Sequence, residues 1–163
     1  MRWTRVLPLA LLGLATPCAA QSDPPAKAVA SPMAVRAFRL GPGSDLKKEL
    51  VRIARDNDLR AGVVLTCVGS LTRAVIRLAD KPEATTFEGK HEIVSLVGTL
   101  GREGEHLHVS VSDSSGRTIG GHLMDGSLVY TTAEIAVGEL TALEFSREVD
   151  PKTTYRELAV RRR

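Results

Sequence analysis

Apolar residues in this chain follow one helical rhythm and several strand rhythms. In SDLKKELVRIARDNDLRAG, Leu46, Leu50, Ile53 and Ala54 recur at intervals of three and four, which gathers them on one face of a helix. Ser44 is placed to cap the first amides of that helix and Gly62 to end it. MAVRAFRL precedes the helix as a strand. GVVLTCVGS, LTRAVIRLA, HEIVSLVGTL, EHLHVSVSD, SLVYTTAEIAVG and TALEFSREV follow it, rich in Val, Ile, Leu and Thr and divided by Gly, Ser and Asp. ADKPEATTFEGK separates two of them as a polar loop. DPKTTYRELAVRRR adds one more short strand and ends on a solvated, mobile basic tip.

One long helix among closely spaced strands predicts an α/β domain of the α+β type. Its sheet is mainly antiparallel, curled and packed with the principal helix, because the connections are too short for repeated helical crossovers.

The first twenty residues obey a different pattern. Arg2 and Arg5 precede the apolar run VLPLALLGLA, and TPCAAQ offers small residues before a cut between Ala20 and Gln21, the layout of a signal peptide. Residues 21–33 are then a flexible linker and 34–160 the folded domain, exported to the periplasm or the exterior. Anchoring through Cys18 as a lipoprotein is the lesser alternative, since Thr16 and Pro17 suit it poorly. No later stretch is long and apolar enough for a membrane span.

Removal of that leader alters the charge. The chain has 22 Lys and Arg against 19 Asp and Glu, and losing Arg2 and Arg5 leaves 20 against 19, or +1. A near-neutral domain with five remaining aromatic residues disfavours nucleic acid as a partner, for it lacks a bulk positive field and an aromatic stacking groove. Cys67, alone after cleavage, is expected as a small buried hydrophobe.

Three of the four histidines fall within HLHVSVSDSSGRTIGGHL. On a strand, His106 and His108 share one face with Ser110 and Ser112, while Leu107, Val109 and Val111 face the core. Ser114, Ser115 and Gly116 turn the chain back, and Gly120 with Gly121 permits close backbone approach just before His122. Three imidazoles suit zinc or another divalent transition metal and leave a fourth position open. The same spacing also suits a solvent-facing pair with His122 bonded to a turn carbonyl, and parity alone does not choose. Asp113, Asp125 and Glu134 are candidates to orient the rings or transfer protons, with Glu134 the best placed as a catalytic acid or base. His91 is expected to be a surface or hydrogen-bonding residue outside the trio.

RLGPGSDLKKELVRIARDNDLRAG, VGSLTRAVIRL, HEIVSLVGTL and HLHVSVSDSSGRTIGGHLMDGSLVYTTAEIAVG, in that order, resemble the plants-and-prokaryotes conserved (PPC) domain over roughly residues 34 to 149. The resemblance implies a compact α/β homotrimer with zinc on His106, His108 and His122. Plant members join the domain to an RGRP-centred AT-hook and bind DNA; this chain has no such hook. The sequence therefore points to an exported, homotrimeric metal-binding protein, with a small molecule or a protein as partner. A zinc-dependent hydrolase or lyase acting on a small molecule, and a DNA-binding protein, are the alternatives.

Overall fold

The computed structural model describes residues 28–163; the expected signal peptide and the first part of the expected linker lie outside the described residues. One helix and eight strands follow in the order β1 (Met33–Leu40), α1 (Leu46–Asp56), β2 (Gly62–Arg77), β3 (Thr85–Gly101), β4 (Gly104–Ser112), β5 (Thr118–Leu123), β6 (Leu128–Leu140), β7 (Leu143–Val149) and β8 (Arg156–Arg162). Among the described residues no helix is long and apolar enough to cross a membrane.

The predicted stripe packs α1. Leu46 and Leu50 are fully buried and Ala54 nearly so, while Ile53 packs at the edge of the core. Each buried leucine is worth roughly 1.5–3 kcal/mol relative to exposure, more than helical propensity contributes at any one position. The cap falls on Asp45 rather than Ser44: its carboxylate accepts from the Lys48 amide at 3.2 Å and from the Gly126 amide at 2.8 Å. Ser44 instead bonds through its backbone, its carbonyl accepting from the Val129 amide. The helix also stops before Gly62. Asp58 takes a left-handed conformation, its amide donates to Arg55, and the Leu59 amide donates to Ala54, closing the last turn with Leu59 buried behind it.

Six strands form one antiparallel sheet in the order β1-β6-β2-β3-β4-β5, and β2 also pairs with β5. That second pairing curls the sheet back on itself, so β2, β3, β4 and β5 enclose a core that includes Leu71, Ile76, Val111 and Val129. GVVLTCVGS and LTRAVIRLA are one strand, since the shifts in register around Gly69 and Leu71 bend β2 without breaking it. The predicted loop ADKPEATTFEGK is also partly strand: Thr85, Thr86 and Phe87 pair with Ile76, Val75 and Ala74, and only the segment between β2 and β3 turns.

β7 and β8 make a separate hairpin. Leu143 and Phe145 seat it on Ala61 in a small second apolar cluster. The terminal arginines are built into it and are not a loose tip. Arg161 pairs with Glu148, and Arg163 bonds the buried Glu139 at 2.8 Å, which Arg36 also pairs at 3.3 Å.

Candidate metal centre

Alternation on β4 buries Leu107, Val109 and Val111 and turns His106 and His108 outward, as the sequence predicts. The third histidine arrives through register: His122 on β5 stands opposite His108 on β4 and also opposite Arg77 on β2. Glycine makes that triple contact feasible. A side chain at Gly121 would lie 2.5 Å from the Arg77 carbonyl oxygen. At Gly98, where φ is +146°, it would meet the His106 carbonyl at 2.0 Å, so both neighbours of the histidine row approach across bare backbone.

One ligand nitrogen from each of His106, His108 and His122 lies within 4.8 Å of the other two. The ring centroids are 4.4 to 5.0 Å apart, and His106 Nε2 and His108 Nε2 are 3.1 Å apart. Tetrahedral zinc with nitrogen at about 2.05 Å holds its donors roughly 3.3 Å apart, so closing the wider pairs requires only a small convergence of exposed rings. Desolvation, then the charges of His108 and Arg147, hold the His106 ring below the usual imidazole range; desolvation, then Arg77, do the same for His122. Both shifts favour the neutral ring, the form that carries a free lone pair.

A cleft of about 670 Å³ opens beside the rings, walled by Arg77 from β2, His106, His122, and Arg147, Arg156 and Glu157 from the hairpin. Another cleft, of about 330 Å³, lies against Val51, Leu59 and Arg102; it is the more enclosed and apolar of the two but contains none of the imidazoles. Two of the three donors, His106 and His122, wall the first cleft, and His108 lines an adjoining one with His106 and Arg147.

The other predicted residues lie elsewhere. Glu134 sits on β6, in register with Arg39 and Val68. Three strand spacings separate β6 from β4, or roughly 14 Å, so the fold of one chain does not bring this carboxylate to the rings. Asp113 is held in its own turn by the Ser115 hydroxyl at 2.6 Å and the Ser115 amide at 2.9 Å. Asp125 pairs with Lys47 at 3.3 Å. His91 is buried, and its Nδ1–H donates to the Gly89 carbonyl at 2.8 Å. Three acids line the cleft with His106 and His122, namely Glu103, Glu105 and Glu157, and of these Glu157 also lines the second cleft that touches His106 and His108, together with Arg147. Sequence reasoning missed Arg77, Arg147 and Glu157; Arg77 carried a usable signal, because it alternates with the core residues Ala74 and Ile76.

A family model described as the Plants and Prokaryotes Conserved (PCC) domain matches residues 27–141. A bifunctional protein named GlmU from a Synechococcus species is 50% identical over 123 residues, covering 76% of this chain and 20% of that protein. The chain thus spans about a fifth of the length of the curated relatives it matches. A hypothetical protein of Salmonella enterica shares the fold with a TM-score of 0.82 at 42% identity, covering 83% of this chain and 98% of its own. A metal-containing protein of Archaeoglobus fulgidus aligns with a TM-score of 0.68 at 23% identity, over 82% of this chain and 99% of that one.

These neighbours correct one expectation. A protein of Bacteroides thetaiotaomicron with this fold, TM-score 0.66 at 19% identity over 77% of this chain and 91% of that one, is named as a DNA-binding candidate. Net charge had disfavoured nucleic acid, but net charge averages over a surface, and a local group of arginines can meet phosphates on a neutral protein. The near-neutral net charge therefore does not exclude a nucleic-acid partner.

Proposed function

This chain belongs to the Plants and Prokaryotes Conserved (PCC) domain family, and on that premise we propose that it is an exported, homotrimeric protein binding a divalent transition metal, zinc by preference, on His106, His108 and His122. The observation that carries the reading is the convergence of three ligand nitrogens within 4.8 Å at the mouth of a cleft. The donors fit the group: neutral imidazoles suit a borderline cation, and three of them leave one position for a ligand. When bound, zinc would supply a Lewis-acidic position there. The metal content of the Archaeoglobus protein supports the reading.

Export rests on the leader pattern of residues 1–20. Oligomerisation is supported by the outer sheet face, where Val35, Leu65, Val68, Val94 and Val97 stand exposed. Apolar residues shared among several strands of one face are the surface a symmetric partner covers. Elemental analysis of purified protein, beside a His106→Ala, His108→Ala double variant, tests the metal. One equivalent in the parent and none in the variant is expected, and equal content in both would reject the reading.

A second reading, nucleic-acid binding, draws on the names of the Bacteroides protein and of a Ralstonia eutropha protein with the same fold. Arg77 and Arg147 are the local charges that would serve it. It predicts association with duplex DNA that weakens steeply as salt rises; no binding at low salt would end it.

A further inference from the structure

We propose that Arg77 and Arg147 make the histidine centre a receptor for a small molecule carrying an oxyanion, a carboxylate or a phosphate, which fills the open side of the metal. The inference rests on the metal reading above and extends it to the class of ligand.

Both arginines reach the rings through strand register. Arg77 is the cross-strand partner of His122. Arg147 comes from β7, and its guanidinium donates to Thr99 Oγ1 at 2.8 Å; Thr99 is in turn the cross-strand partner of His106. The two cations thus flank the imidazole cluster from β2 and from the hairpin, and both are partly shielded from solvent.

Both arginines lack a direct carboxylate partner among the described residues, whereas the neighbouring cations have one. Lys47 pairs with Glu105 at 3.1 Å, and Arg156 with Glu103 at 3.6 Å. Among the described residues neither Arg77 nor Arg147 forms an ion pair; of the three carboxylates lining the cleft, Glu105 is paired with Lys47, Glu103 with Arg156 and with the Arg147 amide at 3.1 Å, and Glu157 has no ion-pair partner among the described residues. Two guanidinium groups beside a metal repel one another and the metal, and a bound oxyanion relieves that repulsion. The planar fork of arginine matches two oxygens of a phosphate and would leave a third for a metal on the histidines, whereas a carboxylate would share its two oxygens between a guanidinium and the metal. A cleft of about 670 Å³ lies in the range of small-molecule sites. Arg156 and Arg161, which would extend a phosphate track outward from it, are each tied to a glutamate.

The hairpin gives this arrangement its interest. β7 and β8 follow residues 27–141, the stretch matched by the family model, so Arg147 and Glu157 are added to the histidine centre from beyond the matched region.

Cobalt(II) substitution tests the inference, because the visible absorption of cobalt reports its ligands whether or not the protein has an activity. Phosphate and acetate are titrated separately into cobalt-loaded protein, alongside Arg77→Gln and Arg147→Gln variants and the conservative Arg77→Lys and Arg147→Lys. The expected result is a saturable spectral change with at least one anion. Full cobalt content is retained in all variants, and the glutamine variants require at least about tenfold more anion. The lysine variants, expected to fall between, keep the test informative if a glutamine variant misfolds. Cobalt bound without any anion response, or variants that titrate like the parent, would overturn the oxyanion site and leave the metal reading standing. Failure to bind cobalt would overturn both. A response to duplex DNA at lower phosphate concentration than to inorganic phosphate would overturn the small-molecule assignment in favour of a nucleic-acid surface.

Discussion

Arg77 and His122 face each other across the seam at which β5 closes onto β2. His108 continues the same row on β4. The contact that curls the sheet is therefore also the contact that assembles the donor set, and disturbing one disturbs the other.

Gly121→Ala tests that coupling. The added carbon would fall 2.5 Å from the Arg77 carbonyl and 2.9 Å from Ile76 Cγ2. Backbone cannot yield as a flexible side chain can, so a loss of about 1–3 kcal/mol is expected in denaturant unfolding, together with weaker metal binding. Gly41→Ala, which meets nothing within 4 Å, serves as the control and is expected to leave metal binding intact.

The exposed histidines contribute little to the metal-free fold. His106→Ala and His108→Ala are each expected to shift stability by no more than about 0.5 kcal/mol without metal. With zinc at about a hundredfold its dissociation constant the parent gains about 2.7 kcal/mol and the double variant gains nothing. Thermal melts with and without zinc, after chelator treatment, measure both; a double variant that zinc stabilises as much as the parent would count against the site.

Glu139 makes the fold sensitive to acid. Desolvation pushes its carboxyl up, but the hydrogen bond and charge of Arg163, with the charge of Arg36, outweigh that and hold it below the usual carboxylate range. In the unfolded chain the group titrates near its ordinary value of about 4.3. Just below that value the unfolded state binds more protons, so stability rises with pH across the window. The contribution is complete above about pH 5 and is lost as pH falls through the depressed folded value. Glu139→Gln is expected to flatten this part of the stability profile. It should cost about 1–2 kcal/mol at pH 7, a modest figure because both arginines remain partly in water. Urea titrations at pH 7 and pH 3 compare the two proteins.

Cys67 is expected to be inert in the folded protein. It is 8% exposed, and burial pushes its thiol up to about 12, so almost no thiolate exists at neutral pH. A thiol reagent at pH 8, with mass-spectrometric mapping of the label, is expected to modify Cys67 only as fast as the protein unfolds. Rapid labelling of Cys67 without unfolding would contradict its burial.

Local patterns in the sequence carried the elements whose cause is local. The stripe of Leu46, Leu50 and Ala54 specified α1, and alternation along β4 separated Leu107 and Val109 from His106 and His108. The helix cap was misplaced by one position because Ser44 and Asp45 are both competent; the Gly126 amide, 81 residues away, decides between them. The outward direction of Arg77 was readable, but its neighbour was not, since alternation says nothing about which strand lies beside it. Arg147 and Glu157 were less legible still. They arrive on a hairpin fixed by Leu143 and Phe145 against Ala61, a contact between distant parts of the chain.

The way β5 is counted out carries a constraint on how the chain can vary. Thr118 is fixed opposite Ser112, and His122 opposite His108, with side chains alternating between. Deleting a single residue inside this strand would set Leu123 beside His108 and send the imidazole toward the apolar interior. Length changes can therefore be absorbed in the turn at 113–117 but not in β5, where one missing codon would exchange a candidate ligand for a leucine.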